Sequence, residues 1–235
     1  MTLRGYGRLI AAALLLAVCL PLWAIARLTG GEQRWNSRFL RMAGWLLGLR
    51  TRTDGWRAEG GVLIVANHVS WLDILALGGA MPCRFVAKAE IGRWPVIGRL
   101  ARIGRTVFVA RDRRSGARAQ ADAVTEALGD SLPLVLFAEG GTGDGRTLGA
   151  FRPALFISAI EAGAAVQPVA IDYGPDRARL AWPSGQSFGP EAKRLLNRRG
   201  TVPVTLRFLP PLDSRTLDRK ALAALSHAAV RDALS

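Results

Sequence analysis

The chain has 235 residues, of which 50% are hydrophobic, and its 32 Lys and Arg against 18 Asp and Glu give a formal net charge of +14. This length suits one domain with an appendage. The charge attracts polyanions. Because the sequence has no zinc-finger spacing, no aromatic RNA-binding signature and no basic coiled coil, we expect anionic membrane lipid and no nucleic acid as a partner. The two cysteines give neither a disulfide framework nor a metal-ligand spacing, so no metal site is expected.

The first apolar segment, Leu9–Ala26, is free of charged residues and has arginines on both sides. As a helix it would reach roughly 27 Å at ~1.5 Å per residue, which is marginal for crossing a bilayer. Pro21 weakens the case for one straight span further. A cleaved secretory signal is the alternative, because Ala24-Ile25-Ala26 has the small-x-small form of a cleavage site. We favour an uncleaved anchor because of the segment that follows.

That second segment has an apolar stripe at helical spacing, accompanied by arginines on a neighbouring stripe. The residues of the stripe are Trp35, Phe39, Met42, Leu46 and Leu49. Basic amphipathic helices with aromatic residues settle into the lipid headgroup region, although a helix that covers a protein core has the same pattern. Residues 1–52 are therefore predicted to form a pair of membrane-anchoring helices. Positive charge on both sides of the first helix leaves its orientation open.

From Gly61 onward, apolar strand-like runs alternate with helical stretches. The predicted strands are Gly61–Ala66, Arg84–Ala87, Thr106–Ala110, Leu132–Ala138, Ala165–Ile171 and Val202–Leu209. The predicted helices are Trp71–Gly79, Arg113–Leu128, Pro153–Ala162, Glu191–Asn197 and Thr216–Leu234. This alternation is typical of an α/β fold with a mostly parallel central sheet flanked by helices. No repeat or low-complexity linker divides residues 53–235, which we interpret as one domain.

A histidine and an aspartate follow the first predicted strand, in the segment Asn67–Asp73. An imidazole held by a carboxylate takes a proton from a hydroxyl near neutral pH. On one continuous helix five steps rotate a side chain by roughly 140°, so the pair meets only if His68 lies on the turn and Asp73 in the first turn of the next helix. The alternative is a capping box, Ser70-x-x-Asp73, in which the aspartate satisfies backbone donors.

Polar groups also follow the next three predicted strands, as Lys88, Arg111 and the glycine-rich loop from Glu139 to Gly145. Because ligands in open α/β sheets bind beyond the carboxyl ends of the strands, we expect one shared site at this edge. Glycines let the backbone approach a ligand and expose its N–H groups, although a tight connection is the alternative. Pro168, inside a predicted strand, indicates an edge strand or a bend at a pocket wall.

Taken together, these segments resemble the lysophosphatidic acid acyltransferase family of membrane-bound glycerolipid acyltransferases. The resemblance runs in motif order from about Gly61 to Val169, and Asn67–Asp73 matches the family's His-x4-Asp motif. The further similar stretches are Phe85–Ile91 with Trp94–Gly98, the stretch ending in Phe108 and Arg111, Phe137–Thr142 against the family's Phe-Pro-Glu-Gly-Thr-Arg, and Val166–Val169.

The resemblance implies acyl transfer from a thioester, acyl-ACP or acyl-CoA, to a lysolipid hydroxyl, with 1-acylglycerol-3-phosphate as the expected acceptor. It implies that His68 is the general base and that Asp73 orients it, with no protein nucleophile and no cofactor. The implied substrate-binding residues are Lys88, Arg111, Glu139, Gly140, Gly141 and Thr142, with Asn67 and Pro168 in support. The implied location is the cytoplasmic face of a bacterial inner membrane.

Three departures from the family's third motif concern the acceptor. Ala138 stands for the usual proline, Gly141 for threonine and Thr142 for the arginine that faces the acceptor's phosphate. The continuation to Gly145 looks more like the branch that acylates lyso-ornithine lipid, which is the alternative acceptor. Two other classes remain open. A lipid-cleaving serine hydrolase lacks its Gly-x-Ser-x-Gly elbow here, and a non-catalytic basic membrane-binding module leaves His68 and Glu139 without a role.

Overall fold

The computed structural model describes residues 1–110 and 117–235, whose strands form one seven-stranded sheet. The strands are β1 (Leu49–Asp54), β2 (Leu63–Ala66), β3 (Arg84–Lys88), β4 (Val107–Val109), β5 (Leu134–Phe137), β6 (Val166–Asp172) and β7 (Val202–Phe208). The α-helices are α1 (Leu3–Arg27), α2 (Glu32–Leu46), α3 (Leu72–Ala80), α4 (Ile97–Ile103), α5 (Ala117–Leu128), α6 (Ile157–Ala162), α7 (Arg177–Leu180), α8 (Phe188–Asn197) and α9 (Arg219–Leu234). Short 3₁₀ turns span Ala89–Arg93, Pro153–Phe156 and Gly174–Asp176.

The strand order is β1-β7-β6-β2-β5-β3-β4. The five strands from β6 to β4 run parallel to one another. β7 runs antiparallel to β6, and β1 runs parallel to β7. The predicted mostly parallel α/β sheet is thus confirmed. Because β2 is the fourth of the seven strands, the residues that follow it emerge at the middle of the sheet.

Helices cover both faces of the sheet, which explains why the central strands consist of uninterrupted apolar runs. On one face Ile64 of β2 and Val135 of β5 pack beneath α3 and α8. On the other face Leu63 and Val65 of β2 pack beneath α5, α6 and α9. Every residue of β2 is buried, so this strand is held rigidly where it delivers the following turn to the edge of the sheet.

The sequence pattern does not predict strand β1, and it places Leu49 on the apolar stripe of a helix. The structure corrects this, because α2 ends at Leu46 and Leu49 begins β1. The strand is a sheet edge in which only Leu49 is buried, so it has no apolar run to reveal it. The predicted domain boundary after residue 52 falls inside β1, and residues 49–52 therefore belong to the sheet.

Helix α2 packs closely on α3 because two glycines of α3 leave room for it. A Cβ at Gly79 would lie 2.8 Å from the Cα of Arg41, and a Cβ at Gly78 would lie 2.5 Å from Leu40. Arg41 also donates from Nε to the Gly79 carbonyl oxygen at 2.8 Å. This face of α2 covers the core, while Met42 on the predicted apolar stripe stays 50% exposed. The core-covering interpretation therefore holds for one face of α2, and the membrane-anchoring interpretation of this segment stays a prediction.

Helix α1 is longer than the apolar run from which it was predicted. It has 25 residues and continues through Pro21, so it is about 37 Å long at ~1.5 Å per residue. Large apolar side chains along it are exposed, among them Leu9, Ile10, Leu14, Val18 and Ile25. The helix is long and apolar enough to cross a membrane. Its length, composition and exposure indicate membrane association.

The N-terminal end of α1 is fixed to the domain through the end of α8. Arg8 donates from Nη1 to the carbonyl oxygens of Leu195, Leu196 and Arg198 at 3.4, 3.1 and 2.8 Å. Thr2 donates from its backbone N–H and its hydroxyl to Oδ1 of Asn197. The last carbonyls of a helix have no partner within it, so a cation at this position stabilises them.

We expect Leu14→Lys to weaken membrane binding. Leu14 is 63% exposed, so its replacement leaves the fold intact, but a charge within a membrane-inserted helix costs about 2.5–3.5 kcal/mol. Partitioning into liposomes should fall by roughly two orders of magnitude, as measured by flotation. The matched control is Leu225→Lys, on α9, where the native leucine is 45% exposed. Equal partitioning of the two variants would contradict membrane binding through α1.

Candidate active site

The turn between β2 and α3 brings His68 and Asp73 together. His68 lies on the turn, and Asp73 is the second residue of α3. Their side chains contact each other, with 2.8 Å between Nδ1 and Oδ2. The Asp73 side chain is completely buried, whereas the His68 side chain is 16% exposed. The geometry is the one that the five-residue spacing requires.

The Asp73 carboxylate accepts hydrogen bonds on both oxygens. Besides the imidazole, Oδ2 accepts from the backbone N–H of Val69 at 2.7 Å and of Ser70 at 2.9 Å. Oδ1 accepts from the hydroxyl of Tyr173 at 2.6 Å. A carboxylate without solvent remains ionised only when such donors replace water. Asp73 therefore both satisfies backbone donors and orients the imidazole. The partner of a histidine and the capping residue, which the sequence offered as alternatives, are the same carboxylate.

The imidazole ring is fixed in plane by a phenyl ring. His68 stacks on Phe137, the last residue of β5, with 3.9 Å between ring centroids and 10° between the planes. With the Nδ1 proton donated to Asp73, Nε2 is the unprotonated nitrogen. Within residues 1–110 and 117–235 no side chain or backbone group bonds to this nitrogen. Nε2 is therefore available to accept a proton.

The main chain of the turn is held by two segments, the glycine-rich loop and the segment around Trp182. The N–H of His68 donates to Oε1 of Glu139 at 2.6 Å, and its carbonyl accepts from the N–H of Gly143 at 3.0 Å. The carbonyl of Val69 accepts from the N–H of Trp182 at 2.9 Å. The backbone of the turn is thus fixed independently of the Asp73 contact.

Glu139 connects two parts of the site through its carboxylate. Oε1 accepts from His68, and Oε2 accepts from the N–H of Gly149 at 2.7 Å. Burial raises the pKa of Glu139, and the two backbone hydrogen bonds oppose that rise. Since each oxygen already has a backbone donor, this geometry supports a role in organising the site. The substrate contact expected for Glu139 stays a prediction.

The glycine-rich loop turns sharply and packs against a segment beyond β6. Gly140 has φ +79°, a left-handed conformation that favours glycine. A Cβ at Gly141 would lie 2.5 Å from Oγ of Ser184. The carbonyl of Thr142 accepts from the N–H of Ser184 at 3.1 Å and from its hydroxyl at 2.9 Å. The departure at Gly141 therefore has a local reason, because Ser184 occupies the space of a side chain.

Of the remaining predicted residues, Lys88 and Asn67 lie at the expected edge. Lys88 is exposed at the carboxyl end of β3, two strands away from β2. Asn67 exchanges hydrogen bonds with the backbone of Ile171 at 2.8 and 3.0 Å. These bonds extend the pairing of β2 with β6 beyond its last registered pair and support the turn. Arg111 lies outside the described residues.

Pro168 does not lie in an edge strand. It pairs with Val65 inside the sheet, since β6 lies between β2 and β7. Its position nevertheless has a physical reason. The first registered pair between β6 and β7 is Val169 with Phe208, so Pro168 lies where that ladder ends. A residue without an N–H group is tolerated at such an interruption.

Sequence reasoning missed Tyr173 and an aromatic cluster beside the site. The tryptophan cluster consists of Trp71, Trp94 and Trp182, whose rings lie 5.9, 5.2 and 5.8 Å from that of Phe188. Tyr173 follows β6 at the same carboxyl edge as His68, so the strand-end rule applies to it as well. No local sequence pattern predicts the cluster, because its members come from distant segments of the chain.

A model of the family described as Acyltransferase matches residues 50–172. The chain belongs to this acyltransferase family. The acyltransferase is 39% identical over 220 residues to lyso-ornithine lipid O-acyltransferase of Brucella abortus (strain 2308), covering 86% of this chain and 82% of the relative. It is 40% identical over 144 residues to 1-acyl-sn-glycerol-3-phosphate acyltransferase of Neisseria gonorrhoeae, covering 61% and 56%.

The fold of this acyltransferase is also that of a solved structure, the 1-acyl-sn-glycerophosphate (LPA) acyltransferase PlsC from Thermotoga maritima. The two superpose with a TM-score of 0.67 at 20% identity, over 96% of this chain and 97% of the other. The family expected from the motifs and the expectation of an O-acyltransferase enzyme are confirmed. Membership of this enzyme family argues against the alternative hypothesis of a non-catalytic, basic membrane-binding module.

We expect Glu139→Ala to destabilise the acyltransferase by roughly 2–4 kcal/mol, because the N–H groups of His68 and Gly149 lose their acceptor. Chemical denaturation measures this loss, and kcat should fall with it, since the turn that carries His68 loosens. If Glu139 only contacted the lipid that accepts the acyl group, its replacement would instead raise KM and leave the free energy of unfolding unchanged. That result would contradict the organising role.

Proposed function

We propose that the protein transfers an acyl group from an acyl thioester to the hydroxyl of a lysolipid, with His68 as general base. The observation that carries this proposal is the imidazole itself. It is oriented by a buried carboxylate, stacked on Phe137, and its Nε2 faces no protein partner in the described part of the chain. An imidazole held in this way takes a proton from a hydroxyl within hydrogen-bond reach.

The residues of the site account for each proton transfer in the proposed reaction. Nε2 of His68 accepts the proton of the lysolipid hydroxyl as its oxygen bonds to the thioester carbonyl carbon. Asp73 stabilises the imidazolium that forms. The carbon–sulfur bond then breaks, and the departing sulfur takes the proton from the imidazolium, which regenerates the base. The products are the acylated lipid and a free thiol, with no covalent enzyme intermediate.

We expect His68→Ala to lower kcat roughly 10²- to 10⁴-fold without loss of fold or membrane binding, because general-base catalysis contributes an effect of this size. Asp73→Asn should be impaired to a similar degree, since the amide cannot hold the same tautomer. Transfer of radiolabelled acyl groups measures the rates, and circular dichroism checks the fold. Near-normal turnover by His68→Ala would refute the proposed base.

For the acceptor, we propose lyso-ornithine lipid before 1-acylglycerol-3-phosphate. Thr142 stands where a phosphate-binding family member has arginine, and a phosphate monoester requires charge-assisted partners. An ornithine headgroup carries an ammonium and a carboxylate, so it needs less positive charge. The match also covers 82% of the lyso-ornithine lipid O-acyltransferase of Brucella abortus, against 56% of the 1-acyl-sn-glycerol-3-phosphate acyltransferase of Neisseria gonorrhoeae. 1-Acylglycerol-3-phosphate remains the second candidate, supported by the order of the motifs.

The acceptor is identified by offering the purified protein both lysolipids and lysophosphatidylglycerol, each with acyl-ACP and with acyl-CoA, and naming the product by mass spectrometry. Acylation of 1-acylglycerol-3-phosphate alone would overturn the proposed acceptor and leave the reaction class intact. Thioester cleavage that is independent of every acceptor would overturn the reaction class.

We expect Thr142→Arg to shift acceptor preference toward 1-acylglycerol-3-phosphate. A new hydrogen bond between a cation and a phosphate is worth about 1.5–3 kcal/mol, which corresponds to a 10- to 100-fold change in the ratio of kcat/KM values. Thr147→Arg is the matched control, because Thr147 is an exposed residue of the same loop. If both variants change the ratio equally, general charge rather than position 142 governs recognition.

The membrane is also the proposed location of the reaction. Three arginines of the N-terminal segments lie over tryptophan rings, in the pairs Arg27–Trp23, Arg38–Trp35 and Arg50–Trp45. Such pairs suit the headgroup region, where cations meet anionic lipid and indole rings are retained. Because acyl-ACP and acyl-CoA are cytoplasmic donors, we propose the cytoplasmic face of a bacterial inner membrane.

A further inference from the structure

Tyr173 lies directly behind the proposed catalytic pair. It follows β6, one strand away from the His68 turn, and its side chain is 1% exposed. Its hydroxyl donates to Oδ1 of Asp73 at 2.6 Å. Within the described residues its hydroxyl bonds to Asp73 and not to the imidazole, so any effect on the reaction passes through the carboxylate.

The two oxygens of Asp73 differ in how they are supported. Oδ2 accepts from His68, Val69 and Ser70. Within the described ranges, 1–110 and 117–235, the Tyr173 hydroxyl is the one donor to Oδ1. Because both oxygens turn together about the last side-chain bond, a donor on Oδ1 adds a restraint on the same rotation and satisfies the oxygen that the other three donors leave unpaired. Tyr173 supplies that restraint.

The phenol is suited to remain a donor throughout the working range of the enzyme. Burial, together with the charge of Asp73 and the hydrogen bond to it, raises the pKa of Tyr173 well above its usual range. A hydrogen bond from a hydroxyl to a carboxylate is charge-assisted, so this donor holds Oδ1 more firmly than it would hold a neutral acceptor.

We propose that Tyr173 is a positioning residue of the acyl transfer, whose hydroxyl fixes the Asp73 carboxylate so that it orients His68. This inference rests on the proposed role of His68 as general base. The Tyr173 side chain is 1% exposed, and its ring is part of the core beneath α3 and α8. Only the hydroxyl is therefore assigned this role.

The test is Tyr173→Phe in the full-length protein, because this change removes the hydroxyl and leaves the ring in the core. We expect kcat to fall roughly 10- to 100-fold, the effect of losing one hydrogen bond to a charged group. KM for both substrates should change less than about twofold, since a side chain that is buried behind Asp73 offers a substrate no surface.

The matched control is Ser158→Ala. Ser158 is fully buried, and its hydroxyl donates to the carbonyl of Ala121 at 3.0 Å beneath the opposite face of the sheet. The Ser158→Ala variant also loses one buried hydrogen bond, so its melting temperature should fall comparably while kcat stays unchanged.

A fall in kcat for Tyr173→Phe no larger than that of Ser158→Ala would overturn the inference. A rise in KM as large as the fall in kcat would overturn it as well, since a residue that acts only through Asp73 leaves substrate binding unchanged. His68→Ala, assayed in parallel, separates this outcome from failure of the proposed function. If His68→Ala is inactive and Tyr173→Phe is unaffected, only the role of Tyr173 is wrong. If His68→Ala remains active, the proposed function itself fails.

Discussion

The buried charge of Asp73 is the constraint on which the carboxyl edge of this sheet depends. A carboxylate that no water reaches costs several kcal/mol unless hydrogen-bond donors surround it. Here the donors come from the turn after β2, from the imidazole and from the residue that follows β6. The turn must therefore adopt one conformation, the imidazole one orientation and β6 one register. The requirement of a single side chain thus fixes three parts of the chain.

The parallel sheet and the meeting of His68 with Asp73 were predictable because both follow from local patterns. Runs such as Leu134–Phe137 are apolar throughout, as strands buried on both faces are. Parallel strands present their carboxyl ends at one edge, so the polar residues after β2, β3 and β5 could be assigned to one site. Geometry along the chain alone then required a turn at His68 and a helix at Asp73.

The rest depended on partners far away in sequence, which no local pattern reveals. Tyr173 is 100 residues from the carboxylate that it contacts, and its own surroundings read only as the end of a strand. Strand β1 exists because β7 pairs with it, although five of its six residues are exposed. Pro168 indicated an edge, but the interruption lies in the β6–β7 ladder. The end of this ladder could be located only from the observed pairing of β6 with β7.

A lysolipid must bring its hydroxyl from the bilayer to a base that is only slightly exposed, so the anchor and the site need a fixed spatial relation. Helix α8 provides a connection between them. Its last turn is capped by Arg8 of α1, and its first residue, Phe188, lies among the rings of the tryptophan cluster. Trp182 of that cluster donates its backbone N–H to Val69, next to the proposed base. A continuous series of contacts thus connects α1 to the residue beside the proposed base.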